Sequence, residues 1–131
     1  MAGELILVIE DNEKNLKLVR DLLQFNGFPT MEATTAEHGL VLAAQQCPRL
    51  ILMDIQLPDM DGVAALGLLR ADPRTAAIPA VALTAFAMKE DRDRFLGAGF
   101  DGYLGKPIDI KTFPSQVRAF IESGAHSPLR R

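Results

Sequence analysis

Leu5-Ile6-Leu7-Val8-Ile9, followed at once by Glu10-Asp11, sets the reading of this chain. Five consecutive apolar residues, rich in branched side chains, are too few for a helix. They suit a strand buried on both faces. The acids that follow then fall at its carboxyl end. Next comes Asn12, a good helix cap, with Leu16, Val19 and Leu23 at helical spacing and Gly27 as a stop. A second strand is expected over Phe28 to Ala33. Thr34 and Glu37 have capping-box spacing and open a helix to about Gln46, closed by Pro48.

The same alternation continues to the end. Leu50-Ile51-Leu52-Met53 is a third buried strand, with Asp54 at its end. A loop with Pro58 and Gly62 leads into a helix carrying Val63, Leu66 and Leu69, which ends near Asp72-Pro73. Pro79 to Leu83 forms a fourth strand and Phe86 to Ala98 a fourth helix, whose charged run from Lys89 to Arg94 reads as a solvated face. Gly102-Tyr103-Leu104 is a short fifth strand. Asp109 to Glu122 is the last helix, with Pro114 near its first turn, where a missing N–H costs least. Strand and helix thus alternate five times. This predicts an α/β fold with a parallel sheet and helices on both faces. Right-handed crossovers bring the loops after the strands to one edge, where open sheets place their sites. We expect one domain over residues 4–122 and a loose tail over 123–131.

Composition agrees. With 131 residues, 48% hydrophobic and 24% charged, one domain can bury a core without disulfides or a structural metal. The single cysteine, Cys47, is expected as a half-buried thiol near a helix end. Net charge is −3, without a basic stripe, so direct nucleic-acid binding is not expected. No apolar run approaches the roughly 20 residues of a membrane span. Met1 to Glu4 lacks a basic region followed by an apolar one, so the expectation is a cytoplasmic protein without a secretory signal.

Polar residues gather at the strand ends: Glu10 and Asp11 after the first strand, Asp54 after the third, Thr84 and the small Ala85 after the fourth, Lys106 and Pro107 after the fifth. Crowded carboxylates repel and partly protonate unless a cation neutralises them. An all-oxygen donor set points to Mg²⁺ or Mn²⁺ and away from zinc. A carboxylate beside such a metal can act as nucleophile toward a phosphoryl group and form an acyl phosphate. Lys106, the Thr84 hydroxyl and the Ala85 N–H would meet the phosphoryl oxygens. In the strand order 2-1-3-4-5 the third strand is central, which makes Asp54 the nucleophile.

The set Glu10-Asp11, Met53-Asp54-Ile55-Gln56-Leu57-Pro58, Met60-Asp61-Gly62, Thr84-Ala85 and Gly102-Tyr103-Leu104-Gly105-Lys106-Pro107 resembles the receiver domains of two-component signalling, particularly stand-alone regulators of the chemotaxis and cell-cycle kind. The likeness runs from about Leu5 to Ile121. It implies a flavodoxin-like fold with Asp54 as phosphoacceptor, Asp11 as a direct Mg²⁺ ligand and Glu10 as a ligand through water. The main-chain carbonyl of Gln56 would complete the coordination. The resemblance further implies that Lys106 and Thr84 hold the phosphoryl group and that the Lys106–Pro107 bond is cis. Thr84 and Tyr103 would move together as a switch, read out on the face of helix four, strand five and helix five. Phe95, Phe113 and Pro114 are candidates for that face or for the core. The implied donor is a histidine kinase or a histidine phosphotransfer protein, and the implied target is another protein. The domain is then not a turnover enzyme. Gln56 and Phe86 offer no general base, so slow self-dephosphorylation is expected.

Other readings fit less well. A phosphatase of the haloacid-dehalogenase kind wants an acid at position 56. A flavin carrier wants a glycine- and hydroxyl-rich loop where Glu10-Asp11 stands. A pseudo-receiver that binds partners without phosphorylation remains as the alternative. His38 and His126 lie away from the strand ends and are not expected to carry phosphate or metal. With Met1 close to the first strand, the expectation is a stand-alone regulator or the N-terminal part of a longer protein.

Overall fold

A computed structural model describes residues 4–85 and 89–124. Strands β1 (Ile6–Ile9), β2 (Thr30–Ala33), β3 (Leu50–Asp54), β4 (Ala80–Thr84) and β5 (Gly102–Gly105) alternate with five helices. These are α1 (Glu13–Phe25), α2 (Ala36–Gln46), α3 (Gly62–Ala71), α4 (Lys89–Ala98) and α5 (Phe113–Gly124). The strands form one parallel sheet in the order β2-β1-β3-β4-β5: the parallel α/β sheet that the alternation predicted, in the flavodoxin-like form that the resemblance implied.

Successive side chains on a strand point to opposite faces, and this divides the core in two. Leu7, Ile9, Ile51 and Met53 pack beneath α2, α3 and α4, with Leu66, Leu69 and Phe95. Ile6, Val8, Leu50 and Leu52 pack beneath α1 and α5, with Val19, Leu23, Phe113 and Val117. The central strands β1, β3 and β4 are buried along their whole length, as continuous apolar runs require. Phe95 and Phe113 are fully buried and belong to the core, Phe113 at the floor of a groove between α4 and α5.

Local differences from the sequence reading have local causes. β2 begins at Thr30, because Pro29 has no N–H to enter the ladder; its carbonyl accepts from the Ile6 N–H at 3.0 Å. Helix α2 is capped by Thr35, not Thr34. Thr35 is extended and its Oγ1 accepts from the His38 N–H at 3.2 Å. Helix α5 starts at Phe113, since Asp109 uses its carboxylate in a turn, accepting the Lys111 N–H at 3.0 Å. It runs on to Gly124, so the expected tail begins inside the helix, and residues 125–131 with His126 lie outside the described residues. So do residues 86–88, where the fourth helix was expected to begin and where Phe86 stands. Cys47 is exposed rather than half-buried. It occupies the left-handed C-cap of α2 at φ 47°, a position that turns the chain outward before Pro48. Among the described residues, no helix is long and apolar enough to cross a membrane.

Candidate phosphoryl and metal site

Register brings the site together. Ile9 pairs with Met53 and Asp54 with Leu83, so β1, β3 and β4 end almost level. Glu10 follows β1, with its N–H donating to the Ala33 carbonyl at 2.9 Å. The Lys106 N–H donates to the Thr84 carbonyl at 2.8 Å and locks the end of β5 to that of β4. The peptide bond between Lys106 and Pro107 is cis. The result is an open cleft of about 340 Å³ lined by Glu10, Asp11, Asp54, Gln56, Thr84, Ala85 and Lys106.

Inside it, oxygens of Glu10, Asp11 and Asp54 lie within 4.8 Å of one another. Glu10 is fully buried and Asp54 is 5% exposed, while Asp11 faces solvent. Lys106 reaches across the group, its Nζ 2.7 Å from Glu10 Oε1 and 3.3 Å from Asp54 Oδ2. Main-chain donors support the acids. The Asn12 N–H donates to Glu10 Oε2 at 3.2 Å, and the Gln56 N–H donates to Asp54 Oδ1 at 3.0 Å. Burial, reinforced by the neighbouring Asp54, pushes the Glu10 carboxyl up to about 7, although Lys106 and the Asn12 N–H pull the other way. One ammonium thus faces three carboxylates, and their donor atoms are all oxygen. That set fits a hard divalent cation.

The loop after β3 is held from two sides. Gly62, which opens α3, sits so close to β3 that a Cβ there would lie 2.8 Å from the Ile55 Cα and 3.1 Å from the Asp54 carbonyl oxygen. Only glycine lets the helix start there. From the other side, Asp59 Oδ1 and Oδ2 accept the N–H groups of Ala36 and Glu37 at 2.8 and 2.9 Å, pinning the loop to the N-terminus of α2.

Tyr103 does not enter the cleft. Its ring lines a separate groove of about 500 Å³ between α4 and α5, beside Leu96, Leu104 and Phe120. Three residues of this region escaped the sequence reading. Asn15 lines the cleft one turn beyond the Asn12 cap. Asp59 was hidden because its partners lie 22 and 23 residues away in sequence. Arg92 was merged into a charged run, yet its Nη1 donates to the Tyr103 hydroxyl.

A parallel five-stranded sheet with an acid triad and a lysine at its carboxyl edge defines a class, and the family comparison agrees with it. The response regulator receiver domain model matches residues 6–118, and the chain belongs to that family. As a receiver of two-component systems it is a signalling phosphoacceptor and not a turnover enzyme. It is 39% identical over 116 residues to the polar-differentiation response regulator DivK of Brucella ovis and of Brucella melitensis, covering 88% of this chain and 94% of the relative. Among solved structures it is similar to the receiver domain of the sensor histidine kinase PA1611 from Pseudomonas aeruginosa, with TM-score 0.84, 32% identity and 92% and 99% of the two chains covered. That structure has a magnesium ion coordinated in its active-site cleft. The receiver domain of the Francisella response regulator 1452 superposes as closely, with TM-score 0.84 at 26% identity over 92% of this chain and 98% of that one.

Proposed function

We propose that this receiver takes a phosphoryl group on Asp54 from a histidine kinase or a histidine phosphotransfer protein. The observation that carries the reading is the convergence of three carboxylates within 4.8 Å around a lysine that touches two of them. An Asp54 carboxylate oxygen attacks phosphorus, the P–N bond to the donor imidazole breaks, and an acyl phosphate forms. Asp11, Asp54, the main-chain carbonyl of Gln56 and, through water, Glu10 would hold Mg²⁺ or Mn²⁺. When bound, that ion supplies the positive charge that lets carboxylates and phosphoryl oxygens share one cleft. Lys106, the Thr84 hydroxyl and the Ala85 N–H bind the phosphoryl oxygens and stabilise charge as it develops there. Lys106 can do this by exchanging its contact with Glu10 for one with phosphate.

Thr84 and Tyr103 carry the consequence to the α4-β5-α5 face, where a downstream protein reads it. The groove beside Tyr103 supports this assignment. The site of action is the cytoplasm, with neither nucleic acid nor membrane as a direct partner. Intact-protein mass after incubation with acetyl phosphate tests the reading. One phosphoryl group should add in the presence of Mg²⁺ and none to Asp54→Asn. An adduct that persists in Asp54→Asn, or no adduct in the wild type even with a kinase as donor, would overturn it.

A further inference from the structure

The charged run of α4 reads as a solvated face, but Arg92 leaves it. Its Nη1 donates to the Tyr103 hydroxyl, and its guanidinium carbon lies 5.3 Å from the centre of the same ring. One side chain on α4 therefore holds both the polar tip and the apolar face of a residue on β5. The Arg92 Nε is buried and meets no acceptor among the described residues. Tyr103 in this position lines the α4–α5 groove and none of the cleft around Asp54.

We propose that Arg92 is a latch that keeps Tyr103 in the groove and so sets the threshold at which events at Asp54 switch the receiver. The proposal rests on the phosphoacceptor reading above. For the ring to leave the groove, the hydrogen bond and the cation–π contact must break together. Contacts of these two kinds bias the ring position by roughly five- to tenfold. The unpartnered Nε works against the latch and keeps it breakable, because a buried donor without an acceptor is costly. A ligand at Asp54 that favours the ring outside the groove, as a joint switch of Thr84 and Tyr103 requires, must overcome the latch. Removing the latch raises the apparent affinity of that ligand by the same factor.

The chain carries its own probe. Tyr103 is the single tyrosine and there is no tryptophan, so tyrosine emission reports on this ring alone. The experiment titrates the Mg²⁺-loaded protein with beryllofluoride, a phosphoryl mimic, and reads the half-saturation point from that emission. Arg92→Ala should saturate at a concentration roughly five- to tenfold below wild type. Alanine suits a helix position, so α4 should persist. Arg92→Lys, which keeps the charge but loses the planar fork, should fall between the two and serves if the alanine variant does not fold. A wild type that responds only through Asp54, with both variants within twofold of it, would remove the latch and leave the phosphoacceptor reading standing. A wild type that neither responds to beryllofluoride nor takes a phosphoryl group from acetyl phosphate would remove that reading and the latch with it.

Discussion

Glu10 and Asp59 are carboxylates at the same carboxyl edge of one sheet, and the fold treats them in opposite ways. Asp59 is exposed and accepts two N–H donors from the start of α2, which hold its carboxyl below the usual carboxylate range. Glu10 is buried beside Asp54 with one ammonium shared between them, and its carboxyl rises to about 7. Where a carboxylate serves the architecture, donors match it. Where carboxylates serve chemistry, they are crowded beyond what their donors neutralise, and the site keeps a demand for positive charge that a metal ion can meet. Each region should then answer mutation and pH with the opposite sign.

The largest effect is expected at Lys106. In metal-free protein at pH 8, Lys106→Ala leaves Glu10 and Asp54 without their shared ammonium. Breaking a largely buried pair from one side costs about 3 kcal/mol, the low end of the usual range because the lysine is partly exposed. Urea unfolding should show this loss at pH 8 and a smaller one at pH 5, where Glu10 is protonated. An equal loss at both pH values would mean that the acids of the cleft do not repel one another.

Glu10→Gln should act the other way. The folded pKa of Glu10, about 7, lies above its ordinary 4.5, so the native state binds the extra proton between those values. Stability from this group is full below about pH 4.5 and is lost as pH rises through about 7, on the order of 3 kcal/mol across the window. Gln mimics the protonated acid. The variant should therefore be more stable than wild type at pH 8 by about 2 kcal/mol, without this part of the pH slope. Millimolar Mg²⁺ should flatten the slope in wild type and not in the variant. A metal-free wild type whose stability rises from pH 5 to pH 8 would break the comparison at its centre.

The fold was legible because its signals are local. Continuous apolar runs at Leu5–Ile9 and Leu50–Met53 cannot be amphipathic, and together with stops such as Gly27 and Pro48 they leave little besides a doubly covered parallel sheet. The cleft was legible for a related reason. In such a sheet every residue just past a strand shares one edge, so Glu10, Asp11, Asp54, Thr84 and Lys106 could be grouped by order alone. Contacts set by side-chain reach across elements were not legible. Nothing in the run Lys89–Arg94 distinguishes Arg92 from Arg94, and only the packing of α4 against β5 turns one of them onto Tyr103. Thr35 displaced Thr34 as a cap because adjacent threonines differ only in backbone conformation, which the sequence does not print.

The smallest effect is expected on the architectural side, at Asp59. Both of its oxygens are occupied, by the Ala36 and Glu37 N–H groups. Asp59→Asn keeps one acceptor oxygen, puts an NH₂ group where the second stood, and removes a negative charge from a helix N-terminus. One α2 N–H must then turn to water, and the loop carrying Gln56 loses half of its anchor. Thr35 still caps the helix, so Tm should fall by only a few degrees at pH 7. The sign of the pH dependence is the reverse of that for Glu10. A depressed folded pKa gives stability that is present above the ordinary carboxylate range and is lost as pH falls through the folded value. The gap between wild type and Asp59→Asn should therefore close as pH drops below about 4. A calorimetric Tm series for both proteins from pH 3 to pH 8 tests this. A gap that stayed constant would show the carboxylate acting through shape rather than charge, and the two acids of this edge would no longer be opposites.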